Sequence, residues 1–344
     1  MKNPEIIKSV QELNEFMTRP TEKIVDAMRN MPGNLMILGA GGKMGISLAL
    51  LANRAAEQAG KNKRIIAVSR FTNKENHKRL SEAGIKTYVC NLLDEGALEN
   101  LPSIENVVYM VGMKFGTTGR EAETWAINTF LPGLIARKFK DSRIILFSTG
   151  NVYPLVSLKS GGCSESHPTT PVGEYAQSAL GRERIFEYFS KNLKIKGVIL
   201  RLNYAIDLQY GVLLDVAQKV FHQRPINLTM GYVNVIWQGD VHAIVLKSFE
   251  FSQIPPFILN VTGPEIISIR EIAEHFGKLF KTAPIFIAQE ADTALLSNAS
   301  LCHKIFGTPA VSLKEMLRWT AHWIKIKGPT LAKPTHYEMR EGKF

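Results

Sequence analysis

Short, nearly continuous apolar runs recur at close intervals through the first part of this chain. They are "NLMIL" (34–38), "RIIAVS" (64–69), "KTYVC" (86–90), "NVVYMVG" (106–112), "RIILFST" (143–149) and "KGVILRL" (196–202). Each is too short for a helix and is bounded by glycine or polar residues, the mark of a strand buried on both faces. Between them lie stretches of helical periodicity: "ISLALLANRAAEQAG", "ENHKRLSEAG", "EGALENL", "REAETWAINTFLPGLIARKF" and residues 174–191. Strands that alternate with helices in this way predict an α/β fold with a doubly wound parallel sheet.

The flanking regions read differently. Residues 1–32 carry one or two amphipathic helices that close at "MPG". After the fifth strand comes a turn-rich loop, "YPLVSLKSGGCSESHPTTPVG" (153–173). A helix over 211–222, a strand "YVNVIW" (232–237), a helix from Asp240 to Phe249 and a strand "FILNVTG" follow. "SIREIAEHFGKLF" opens with Ser268 and Glu271 at capping-box spacing, and "SLKEMLRWTAHWIKI" is a helix with Trp319 and Trp323 on its apolar side. The expected division is an N-terminal helical extension (1–32), a dinucleotide-binding Rossmann domain (33–204, with 231–263 returning to it) and a smaller substrate lobe (205–230 and 264–344). The last eighteen residues, "KGPTLAKPTHYEMREGKF", are polar and expected to be extended.

Composition narrows the function classes. At 344 residues and 45% hydrophobic content the chain suits a soluble globular protein. No apolar run reaches bilayer length and the N-terminus lacks a signal-peptide core, so neither membrane nor secretion is expected. The three cysteines, Cys90, Cys163 and Cys302, are odd in number and widely spaced, which fits a reducing cytoplasm and argues against a zinc site. The net charge of +11 is spread along the chain without aromatic-basic interleaving. That points away from nucleic acid and toward a small molecule bearing phosphate or another anion.

The candidate chemistry begins at "GAGGKMG". Gly39, Gly42 and Gly45 form G-x-x-G-x-x-G between the first strand and the following helix, where free amides and absent Cβ atoms suit a pyrophosphate. Lys43 and Met44 of this loop, and Val111 at the end of the fourth strand, belong to the expected cofactor set. Beyond the second strand stand Ser69 and Arg70 rather than an acid, so NADP is expected ahead of NAD. Asn91, after the third strand, stands where an adenine contact is usual.

With "GAGGKMG", "FSTGNVYP", "YAQSA", "LRLNYAI" and "NVTGPE" in this order, residues 33–330 resemble the extended short-chain dehydrogenase/reductases, the NAD-dependent epimerase/dehydratase family. The resemblance implies that Tyr175 is a general acid/base, that Thr149 hydrogen-bonds the reacting oxygen, and that Asn128 lies on the long helix before the fifth strand. It breaks at Ala179, where the family has a lysine that contacts the nicotinamide ribose and lowers the tyrosine's pKa. Arg182, two helical turns after Tyr175, is the candidate replacement charge. Gly150 and Asn151 replace the Asp-Glu pair of the family's dehydratases, which disfavours water elimination. The implied activity is NAD(P)-dependent oxidoreduction or epimerisation of a secondary alcohol on a sugar-derived, anionic substrate. The rival is a non-catalytic NADP-binding regulatory or sensor protein, and a homodimer is the oligomer to expect.

Overall fold

The structure is a computed structural model and describes residues 3–342. Seven strands form one sheet: β1 (Leu35–Leu38), β2 (Ile65–Ser69), β3 (Lys86–Val89), β4 (Asn106–Tyr109), β5 (Arg143–Thr149), β6 (Gly197–Leu202) and β7 (Phe257–Val261). Their order is β7-β6-β5-β4-β1-β2-β3, and every pairing is parallel. β1 and β4 are buried from end to end, which is why their sequences are unbroken apolar runs. The strand order reverses between β1 and β4, and at that switch point a crevice opens beyond the carboxyl ends.

Helices cover both faces. α1 (Val10–Thr18) and α2 (Glu22–Asn30) pack on α3 (Gly45–Gln58), the helix after the glycine loop. Arg54 of α3 reaches both carboxylate oxygens of Glu15, at 2.8 and 2.9 Å. α4 (Lys74–Glu82) and α5 (Glu95–Glu99) follow β2 and β3.

The long helix expected over 120–139 has an internal defect. It runs as α6 (Glu121–Trp125), a π turn (Ala126–Phe130) and α7 (Leu131–Lys138). Pro132 has no amide hydrogen to offer the carbonyl of Asn128 four residues back, so the ladder must rearrange there. The freed carbonyl accepts Nε of Arg182 at 3.3 Å instead. Arg182 lies on α8 (Glu174–Leu193), which packs beside α7.

A second apolar core gathers α1 with α9 (Val212–Phe221), α11 (Ile269–Phe280) and α13 (Leu313–Lys325), around Trp237, Trp319 and Trp323. α10 (Gln238–Lys247) joins this core to α2 and α3, while α12 (Ser300–Phe306) lies against β7. Ser268 accepts the Glu271 amide as expected, and a full reciprocal capping box stands at Ser312 and Glu315.

The segment 232–237 is not one strand. Tyr232–Val233 pairs antiparallel with Ile267–Ser268, and Ile236–Trp237 pairs parallel with Ala205–Ile206. Asn234 makes the corner: its side chain donates to the Glu265 carbonyl and accepts the Ser297 amide. The tail after α13 is irregular and folds back on its own chain. Thr335 donates its amide and hydroxyl to Asp215, Tyr337 is fully buried, and Arg340 bonds Thr229 and Thr293.

One buried ionic network ties the sheet together. Arg201 of β6 meets Glu183 of α8 at 2.7 Å with both side chains 3% exposed. Ser148 of β5 donates to the same carboxylate, and Tyr153 links Arg201 to Asn260 of β7. Removing one charge from such a pair strands the other. Glu183→Gln should therefore cost about 3–5 kcal/mol of unfolding free energy, read by urea denaturation.

Candidate active site

The glycine loop is shaped by three different demands. Gly39 has φ +91°, a left-handed conformation, and a Cβ there would lie 3.0 Å from Val111 Cγ2. Gly45 is packed against the loop itself: a Cβ would fall 2.5 Å from the Ala40 carbonyl oxygen. Gly42 is exposed, and its Cβ would meet Gly39 O at 3.3 Å, an internal contact that a small shift relieves. Gly41 faces β2, where a Cβ would lie 2.6 Å from Ser69 Oγ. Behind the loop, Ser47 Oγ contacts His242 Nε2 at 2.8 Å and accepts from Gln238. Burial, with the charge of Lys43, lowers the pKa of His242 to about 3, so it is a neutral prop.

The loop opens on a cleft of about 730 Å³ at the switch point, toward the upper end of the roughly 300–1,000 Å³ of small-molecule sites. Its wall includes Gly39, Gly42, Lys43 and Met44 from the loop, Thr149 and Asn151 after β5, and Tyr175 of α8. Thr149 Oγ1 donates to Asn151 Oδ1 at 3.0 Å and accepts the Asn151 amide, and it is hydrogen-bonded to Tyr175. Burial raises the Tyr175 pKa, while the charge of Arg182 and the Thr149 hydrogen bond act in the opposite direction. Burial thus favours the neutral phenol of Tyr175.

Other expected residues lie behind the wall. Arg182 donates to Phe147 O at 2.8 Å and Asn128 Oδ1 at 2.6 Å, so it acts on Tyr175 through its field, from beneath. Asn128 is fully buried and grips Met113 through its carbonyl and amide groups. Ser69, Val111 and Gly45 support the loop from behind. Asn91 is exposed and turns back to the Leu93 amide. Ala179 packs with Val152, Tyr153 and Cys163 in an apolar cluster.

Arg70, the expected nucleotide-reading cation, is exposed and lies outside the cleft wall. The chain turns at Phe71 (φ +44°), and the wall is taken over by Thr72, Asn73, Asn76 and Arg79. Sequence reasoning also missed Lys114, Tyr204, Asp207 and Tyr210, and three tail residues, Leu331, Lys333 and Thr335. Among the described residues no cluster of His, Cys, Asp and Glu suits a metal ion, and no helix is long and apolar enough to cross a membrane.

Comparison with known proteins adds an independent line. The model of the NAD dependent epimerase/dehydratase family matches residues 35–206. UDP-glucose 4-epimerase from Thermotoga maritima, solved with UDP-glucose, is similar in structure at 15% identity and TM-score 0.69, over 86% of this chain and 99% of that one. UDP-glucuronic acid 4-epimerase from Bacillus cereus, solved with UDP-glucuronic acid and NAD, gives 16% and 0.69 over 85% and 99%. The dTDP-glucose 4,6-dehydratase from Streptomyces venezuelae, solved with NAD, gives 16% and 0.72 over 85% and 97%. No curated protein matches the sequence. At these identities the structural likeness is one of fold.

The loop's geometry separates two glycines. Gly45→Ala should destabilise the fold, lowering Tm, because its Cβ meets backbone. Gly42→Val should leave Tm and circular dichroism near those of the parent while abolishing dinucleotide binding, measured by quenching of protein fluorescence.

Proposed function

Since the chain belongs to the NAD-dependent epimerase/dehydratase family, we propose that it oxidises and reduces a secondary alcohol of a sugar-derived substrate, as an oxidoreductase or epimerase. The observation that carries this is the convergence of Thr149, Tyr175 and the glycine loop on one cleft. The loop's lack of side-chain bulk at its exposed Gly42 and the cleft's size fit a nicotinamide dinucleotide, which supplies hydride acceptance and return when bound. Gly39, Gly42, Lys43 and Met44 would hold its pyrophosphate. Tyr175 gives a proton to, or takes one from, the substrate oxygen, and Thr149 keeps the phenol oriented.

Loss of the family lysine is compatible with this role. Arg182 holds a permanent positive charge near the phenol, and an oxidised nicotinamide would add a second when bound. Elimination of water is not favoured, because Gly150 has no side chain and Asn151 is engaged with Thr149.

The nucleotide we assign is NADP. The Arg79 guanidinium is half-buried on the cleft wall, and among the described residues it has neither a hydrogen bond nor an ion pair. Burial alone lowers its pKa, and an anion there would offset that penalty. Thr72, Asn73 and Asn76 offer neutral hydrogen-bonding groups beside it, and among the described residues that end of the wall carries no carboxylate to compete.

Two measurements test the reading. Arg79→Ala should weaken NADPH binding by about 10- to 100-fold and leave NADH nearly unchanged, whereas Arg70→Ala should change neither. Tyr175→Phe should slow turnover with a competent substrate by roughly 10²–10⁴-fold with cofactor affinity retained. Parent-like turnover in Tyr175→Phe would instead support the non-catalytic, cofactor-binding reading.

A further inference from the structure

The cleft wall is basic beyond the needs of a dinucleotide. Among the described residues Lys43, Arg79, Lys114 and Lys333 line it, against one acid, Asp207. That acid is partly committed, since its Oδ1 accepts the amides of Gln209 and Tyr210 at 2.8 Å each. Lys43 does not stay with the glycine loop. Its side chain crosses the cleft so that Nζ donates to Ala205 O at 3.0 Å and lies 4.0 Å from the centroid of the Tyr210 ring. Lys114 comes from the segment after β4 and lies 5.7 Å from the Tyr204 ring and 5.4 Å from Phe115.

We propose that Lys43 and Lys114 together hold a carboxylate or phosphate of the substrate at the Tyr204–Tyr210 end of the cleft, opposite Arg79. The assignment rests on the oxidoreductase reading of the same cleft. Both ammonium groups are half-buried among tyrosine rings, and each carries its pKa down to about 8, through burial in both cases. The charge of Lys43 lowers Lys114 further, so the two are within electrostatic reach of each other. Two like charges sharing a partly dry wall are most stable with an anion between them. An oxidised nicotinamide is itself a cation and cannot serve.

Trace acetylation with acetic anhydride, read by peptide mass spectrometry at about pH 7.5, measures both lysines directly. Their un-ionised fraction at that pH is roughly a hundredfold above that of an ordinary lysine, so both should label early. In protein saturated with NADP, inorganic phosphate and formate serve as the phosphate and carboxylate probes, with chloride at equal ionic strength as the control. At least one probe should slow labelling of both lysines several-fold beyond chloride, and the better probe identifies the group. Lys43→Met should abolish the protection of Lys114, and Lys114→Met that of Lys43, in variants with parent-like circular dichroism. Labelling no slower with either probe than with chloride overturns the proposal. So does full protection by NADP alone, which would give both lysines to the dinucleotide. Quenching of protein fluorescence in the same samples reports cofactor binding separately. If that fails while the anion arms run without cofactor still protect, the oxidoreductase reading falls and the anion site stands.

Discussion

Everything the site can do depends on how α8 is held against the sheet. Two adjacent residues of this helix, Arg182 and Glu183, turn opposite charges into the interior and anchor to different partners. Arg182 grips the carbonyl of Phe147 on β5 and both the carbonyl and side chain of Asn128. Glu183 engages Ser148 on β5 and Arg201 on β6. The helix can neither slide nor rotate without stranding a buried charge, a penalty larger than most packing defects impose. Tyr175, two turns toward the N-terminus, inherits that rigidity and meets Thr149 in a fixed register.

Missing lysine and π turn belong to one arrangement. Ala179 leaves an apolar patch where a cation would otherwise enter. A charge that acts on the phenol to lower its pKa is that of Arg182, whose seat exists because Pro132 withholds a hydrogen bond from Asn128. A permanent guanidinium in place of an ammonium changes the character of the site. Under the proposed chemistry it biases the phenol without exchanging protons, which leaves proton exchange to groups lining the cleft.

The sheet was legible from the sequence because buried parallel strands leave an unbroken apolar record, and the helices between them keep their own period. The turn carrying Gly39 and Gly42 was legible because it lies between elements that the pattern had already located, whereas Thr149 and Tyr175 were picked out by the family resemblance, and the structure lines one cleft with all four. Arg79 was not: on a helix with one buried residue, Leu80, nothing in the sequence separates it from Lys78 or from Arg70. Its position on the wall depends on the turn at Phe71. Lys114 lies beyond the end of β4, which stops at Tyr109, three residues short of the expected strand. "YVNVIW" misled because Asn234 reads as one polar position in a strand, while its partners, Glu265 and Ser297, are distant in sequence. The tail offered no period at all, and its course follows from long-range bonds to Asp215 and Thr293.

The meeting of the chain's two ends has a consequence for its synthesis. Trp319 Nε1 donates to the carbonyls of Pro4 and Glu5, some 315 positions away, while Phe16 packs on the Trp319 ring at 5.4 Å. At ribosomal speeds of about 5–20 residues per second, the first helix waits roughly 15–60 s for that tryptophan to be made. Over that interval the apolar side of α1 has only part of its native cover, so in a cell the nascent chain is a natural client for chaperones.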